Sequence, residues 1–220
     1  MKKLISINVI LLSFFLPVVT NSYRDSLAIK DKTKKIEVGS ASRKDNTETN
    51  SARNDLKAAV TTWNADAEKA QINFVVNGPF GKVNGKLSGL KSTIRFAVDN
   101  LAASSFRASV DPKSIRTGIG LRNRDLQKEK FLDSDNHPLI SFESEKIQKN
   151  GTGYKAFGNL TIKGVTKSVQ IPFTFTEKAN SGLFKGSFTV QREDFGVGKK
   201  GGSIGNDINI KLEVPVTKSK

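Results

Sequence analysis

Ile208-Asn209-Ile210-Lys211-Leu212-Glu213-Val214-Pro215 alternates apolar and polar residues without a break. Side chains on a strand point to opposite faces at each step, so Ile208, Ile210, Leu212 and Val214 share one apolar face. The same period of two recurs upstream. Ile72, Phe74 and Val76 alternate with Gln71, Asn73 and Val75; Ile94 and Phe96 with Thr93, Arg95 and Ala97; Val169, Ile171, Phe173 and Phe175 with Gln170, Pro172 and Thr174. Turn chemistry lies between these runs, at Asn84-Gly85, Asp99-Asn100, Asn150-Gly151, Lys163-Gly164, Asn180-Ser181-Gly182 and Gly201-Gly202. Short strands at this spacing, with no β-α-β rhythm, predict an all-β fold, either an antiparallel barrel or a sandwich. Pro172 inside a run marks an edge, or a position whose N–H need not pair.

The alternation stops once, between Ser114 and Asn136. There Leu121, Leu126 and Phe131, with basic residues between them, fit one short helix in a connection, opened by Asp111-Pro112 and closed by His137-Pro138. A closed antiparallel barrel of about eight strands leaves no exposed edge. Its interior is either filled by side chains or just wide enough for one small ligand, and periodicity alone leaves both open.

Composition narrows the chemistry. The chain has 220 residues, 36% apolar and 26% charged, and no cysteine. That excludes disulfide scaffolds, thiolate zinc sites and cysteine nucleophiles. Fourteen Phe against one Trp and two Tyr make an aromatic surface almost without polar handles, suited to a dry interior. A net charge of +15 favours polyanions or anionic membrane surfaces.

Three segments follow from the texture. Residues 1–22 have the form of a signal peptide: a basic start at Met1-Lys2-Lys3, an uncharged run from Leu4 to Val19, then small residues Thr20 and Ser22. Residues 23–58 read as a flexible polar leader with no apolar period. Residues 59–220 carry the strands. The expectation is therefore one barrel domain in the periplasm or secreted.

Four blocks carry a resemblance. Gly158-Asn159-Leu160-Thr161-Ile162-Lys163-Gly164-Val165-Thr166-Lys167 is similar to the G-x-L-T-I-K-G-V-T-K/R hairpin of the YceI-like family, lipocalin-like isoprenoid-binding barrels of the bacterial periplasm. Ser114-Ile115-Arg116-Thr117 with Arg122-Asn123-Arg124 resembles that family's S-I-x-T and downstream R-D. Phe131-Leu132-Asp133 through Pro138-Leu139-Ile140-Ser141-Phe142-Glu143-Ser144 resembles F-x-D…P-x-I-x-F-x-S, and Arg192-Glu193-Asp194-Phe195-Gly196-Val197 resembles R-x-D-F-G-I. Together they span about Thr62 to Val216. The chain departs from the family's R-D-x-H-L at Asn123 and Asp125, and His137 replaces a Tyr, which alters the charge offered to a ligand headgroup.

The resemblance implies a lipocalin-like barrel that sequesters or carries a long isoprenoid, of the polyprenyl or isoprenoid-quinone type. Each buried CH₂ is worth about 0.8 kcal/mol before binding costs, so apolar area alone could hold such a chain. Phe74, Phe96, Phe106, Phe142, Phe173, Phe175 and Phe188 are the candidate ligand-lining residues, Arg122 and Arg124 the candidates for the headgroup or mouth, and Trp63 a barrel-end plug. The alternative is a side-chain-filled barrel acting as a basic interaction module at anionic membranes or polyanions.

An enzyme is not expected. His137 is the only histidine and lies on a Pro-flanked turn with no Ser or Asp partner evident in sequence. The Gly-rich run Gly196 to Ser203 lacks the Gly-Lys-Ser/Thr ending of a phosphate-binding loop, and a strand follows it where a helix should. Scattered acids suggest no metal set, and no cofactor is expected beyond a bound polyprenyl lipid. The basic connection lacks the interleaved aromatics that stack bases, so nucleic acid is not an expected partner, whereas contact with an anionic membrane is.

Overall fold

The computed structural model describes residues 59–220. The expected signal peptide and polar leader lie outside the described residues. Among the described residues the strands are β1 (Thr61–Ala65), β2 (Gln71–Gly78), β3 (Gly81–Leu87), β4 (Lys91–Phe96), β5 (Ser105–Val110), β6 (Ile140–Asn150), β7 (Gly153–Ile162), β8 (Val165–Lys178), β9 (Ser181–Gln191) and β10 (Asp207–Lys218), with one α-helix, α1 (Gly120–Gln127).

Eight strands close the barrel in the order β1-β4-β5-β6-β7-β8-β9-β10, and β10 returns to pair with β1. Every pairing is antiparallel. The β2–β3 hairpin is an addition to this ring. One edge of β10 holds β2 along Ile208–Glu213 and β1 along Val216–Lys218. Pro215, with no N–H to give, falls where β10 changes partner.

Pro172 has a similar role. Residues 165–172 of β8 pair with β7 only, and the ladder to β9 begins at Phe173↔Gly186. The two strands are therefore splayed above that point, where the short 3-10 turn Arg192–Phe195 packs against β8.

Two turns fall elsewhere than their sequence suggested. Asn84-Gly85 is inside β3, and the hairpin turns instead at Gly78–Gly81, with Gly81 at φ 114°. Gly85 is a packing glycine: a Cβ there would stand 2.2 Å from Cζ of Phe74, whose ring lies across it. The β8–β9 turn is made by Ala179, at φ 51°, and Asn180, while Ser181 and Gly182 open β9. The helix is also shorter than expected. It ends at Gln127, leaves Leu121 exposed, and Phe131 follows in a turn.

The interior contains two clusters. At the β1 end, Phe96 is 1% exposed and meets Tyr154, Phe173, Phe175 and Phe184 edge-on, with ring centroids 5.1 to 5.7 Å apart. Phe175 and Phe184 stack at 4.4 Å, and Trp63 sets its edge on Phe175 while its Nε1–H donates to the Phe96 carbonyl oxygen at 3.1 Å. Edge-to-face rings of this kind add about 0.5–1.5 kcal/mol per pair beyond area burial. At the opposite end Ile115, Leu132, Ile162, Val190, Phe195 and Val197 form a second cluster, supported by Leu126 and Phe131 from the connection.

Candidate functional site

A cavity of about 610 Å³ lies between these clusters and opens beside the β2–β3 hairpin tip. Its wall is built by the period-two runs themselves. Ile72, Phe74 and Val76 come from β2, Phe106 and Ala108 from β5, Phe142 from β6, and Ile208, Ile210, Leu212 and Val214 from β10. Protein interiors contain few voids larger than a water molecule, so a space of this size marks a pocket within the range typical of small-ligand sites.

Five of the seven candidate phenylalanines, Phe74, Phe106, Phe142, Phe173 and Phe188, stand on the cavity wall. Phe96 and Phe175 do not. They point inward as their period requires, but at the level where β1 draws β4 and β10 together, and there the rings meet one another and fill the barrel. They form its floor together with Trp63. Phe184, Phe131 and Phe195 also line the wall and were not among the candidates. Phe184 was legible: Phe184, Gly186, Phe188 and Val190 alternate along β9. Phe131 and Phe195 come from irregular segments, where no period signals direction.

The mouth is held by a polar knot on the connection. Main-chain bonds join Lys86 of β3 to Arg116 in both directions at 2.9 Å, as an antiparallel bridge. That sense carries the chain from Arg116 back toward the hairpin end of β3. Thr117, 7% exposed, gives its N–H and its hydroxyl to Asn123 Oδ1 at 2.9 and 2.7 Å. Arg122 donates from Nε to Thr117 Oγ1 at 2.8 Å and from Nη2 to the Thr117 carbonyl oxygen at 2.6 Å. Arg122 is thereby fixed on the cavity wall, half-buried. Arg124 is exposed and is not on the wall. Further along, Lys113 reaches Asp135 at 2.7 Å, and this hydrogen bond raises its pKa above the ordinary lysine value.

Arg192 organises the opposite rim. It is 3% exposed and donates to the carbonyl oxygens of Val197, Lys199, Ile204 and Gly205, and to Glu193 Oε1 at 3.1 Å. The guanidinium fork thus satisfies its donors by wrapping the glycine-rich loop around itself. His137 packs its ring over Gly164 of the β7–β8 turn, with Nε2 3.7 Å from Asp133 Oδ2. Among the described residues no group of three or more His, Cys, Asp or Glu is placed to hold a metal ion.

The model of the YceI-like domain matches residues 63–216. The chain belongs to the YceI-like family. Among similar curated proteins, a UPF0312 protein of Yersinia pestis is 28% identical over 136 residues, which cover 59% of this chain and 71% of the relative. A UPF0312 protein of Pseudomonas paraeruginosa is 27% identical over the same length and shares. Among solved structures, BcnA of Burkholderia cenocepacia superposes with a TM-score of 0.67 at 23% identity, covering 70% of this chain and all of BcnA. The YceI protein of Campylobacter jejuni gives 0.57 at 23% identity, over 63% of this chain and 85% of that one. A domain of Saccharophagus degradans described as polyisoprenoid binding gives 0.55 at 12% identity, over 72% and 99%. The closed eight-stranded barrel, with one α-helix among the described residues, matches the YceI lipocalin-like fold of these neighbours.

Proposed function

We propose that this protein carries one long isoprenoid lipid in the barrel, outside the cytoplasm, and takes it up through the mouth beside the β2–β3 hairpin. The observation that carries the reading is the 610 Å³ cavity, closed below by the Phe96 cluster and walled by apolar side chains. An isoprenoid tail needs area rather than directional contacts, and rigid rings and branched aliphatics supply it without regard to which unit they touch. The polyisoprenoid-binding description of the Saccharophagus degradans neighbour points the same way. Export through a signal peptide at residues 1–22 is part of the proposal. So is peripheral contact with an anionic membrane, which the net charge of +15 and the fully exposed Phe80 at the hairpin tip support.

The test is native mass spectrometry of the protein purified from its own source, with lipid extraction, followed by titration of the delipidated protein with polyprenyl lipids. A co-purifying isoprenoid and saturable uptake at one lipid per barrel are expected. If no polyprenyl lipid binds saturably, the carrier reading is wrong.

A further inference from the structure

Five cationic residues border the cavity, Lys82, Arg107, Arg122, Lys185 and Arg192, and no acidic one does; Arg107 and Lys185 alternate with the inward Phe106 and Phe184 and turn their side chains outward. Three of the five are already neutralised: Arg107 by Glu143, Lys185 by Glu213 and Arg192 by Glu193. Arg122 and Lys82 have no ion pair among the described residues. Of these two, Lys82 is an exposed side chain at the hairpin tip, while Arg122 is half-buried and held in place by Thr117. Its two bonds to Thr117 use Nε and one Nη2 hydrogen. Both Nη1 hydrogens and the second on Nη2 carry no hydrogen bond among the described residues.

The residue that settles the charge here is Asn123. Its Oδ1 accepts from both the N–H and the hydroxyl of Thr117, which is the work a carboxylate would do equally well. Its Nδ2 has no hydrogen bond among the described residues, so the amide contributes neutrality and no extra contact. The knot therefore keeps an acceptor in place and omits the counter-ion that would sit one residue from Arg122. The acid nearest in sequence, Asp125, is engaged by Lys128 at 2.7 Å.

We infer that the Arg122–Asn123 pair makes the mouth selective for an anionic, phosphate-type headgroup over a neutral one on the same isoprenoid tail. This rests on the carrier reading and specifies the polar end of its ligand. A preorganised guanidinium at the edge of an apolar cavity, with its free N–H groups on one terminal nitrogen pair, gives charge-assisted hydrogen bonds to a phosphate oxygen and gains little from an alcohol or a quinone carbonyl. Partial exposure weakens these charge-assisted bonds, so the preference should be about tenfold.

The experiment compares a prenyl monophosphate with the prenol of equal chain length, both delivered from detergent to the full-length protein, in wild type, Asn123→Asp and Arg122→Gln. Asn123→Asp keeps both Thr117 bonds and the side-chain shape, so it folds, as its thermal melt will verify. Wild type should bind the phosphate about tenfold more tightly, and both variants should reduce that ratio to near one while prenol affinity stays within about twofold. Inorganic phosphate at millimolar concentration is the third arm and should not displace the prenyl phosphate. Equal affinity for the two lipids in wild type, or a preference that survives both variants, overturns the inference while leaving the carrier reading intact. Displacement by inorganic phosphate alone would show a free-anion site and overturn it too. If neither lipid binds, both readings fall together.

Discussion

Phe74 reaches across its own hairpin and lies on Gly85, the residue directly opposite it, and its ring forms part of the cavity wall. A methyl group at residue 85 would stand 2.2 Å from Cζ and 2.5 Å from Cε1 of that ring, so the ring must swing away. The space available to it is the cavity. Gly85→Ala should therefore lower stability by about 1–3 kcal/mol, the usual range for overpacking, and weaken lipid uptake in the same variant. Urea unfolding and a lipid titration read the two effects, and normal uptake with lowered stability would show that the ring has moved elsewhere. Ser92 is the reverse case. Its hydroxyl is buried on the wall with no hydrogen-bond partner, the single such side-chain atom among the described residues. A buried hydroxyl without a partner lowers stability, so Ser92→Ala in the delipidated protein should raise it by up to about 1 kcal/mol. A clear loss of stability would mean that the hydroxyl is satisfied in solution, by a water or a retained lipid.

The strands divide the inward-facing rings between two duties, and the division does not follow sequence period. Phe96 and Phe188 are both inward residues of regular strands. Phe96 lies in the floor, 1% exposed and edge-on to four rings, whereas Phe188 is half-buried on the cavity wall. Phe96→Ala should destabilise the domain by about 3–5 kcal/mol, the range for emptying a packed aromatic site. Phe188→Asn should lose well under half of that and yet abolish most polyprenyl uptake, because it places an amide against the ligand's tail. Equal loss of stability in both variants, by urea unfolding, would mean that the cavity is packed like the floor. The sequence makes the faces of β2, β4, β8 and β10 legible because burial on one side imposes a period of two. It does not reveal the level of a residue along the barrel, which depends on long-range pairings such as Trp63↔Lys218 and Thr61↔Phe96. For that reason Phe96 and Phe175 read the same as Phe142 and Phe188 until the ring is closed. Arg122 was legible as one of several basic residues, but its lack of a counter-ion is a property of the folded connection.

At the scale of the whole molecule, the charge and the mouth bear on how a lipid enters. The added β2–β3 hairpin ends in Gly78-Pro79-Phe80-Gly81, with Phe80 fully exposed and Lys82 beside it, and all of these border the cavity. The loop carrying Lys199 and Lys200 is tied to the same place, since the Gly205 N–H donates to the Asn77 carbonyl oxygen at 2.7 Å. An exposed Phe with a lysine two residues on and a lysine-bearing loop tied to the same hairpin matches an anionic bilayer surface, where the ring enters the headgroup layer and the cations stay outside it. Phe80 contacts nothing that its loss would disturb, so Phe80→Asp should leave stability within about 0.5 kcal/mol. The same variant should slow capture of lipid from vesicles containing phosphatidylglycerol, and Lys82→Glu should do so in a salt-sensitive way, because screening weakens attraction between exposed charges. Neither change should alter uptake of lipid delivered from detergent, since the cavity behind the mouth is untouched. If detergent-delivered uptake falls as much as vesicle capture, the hairpin tip is part of the binding wall and the membrane contact must be sought on another face.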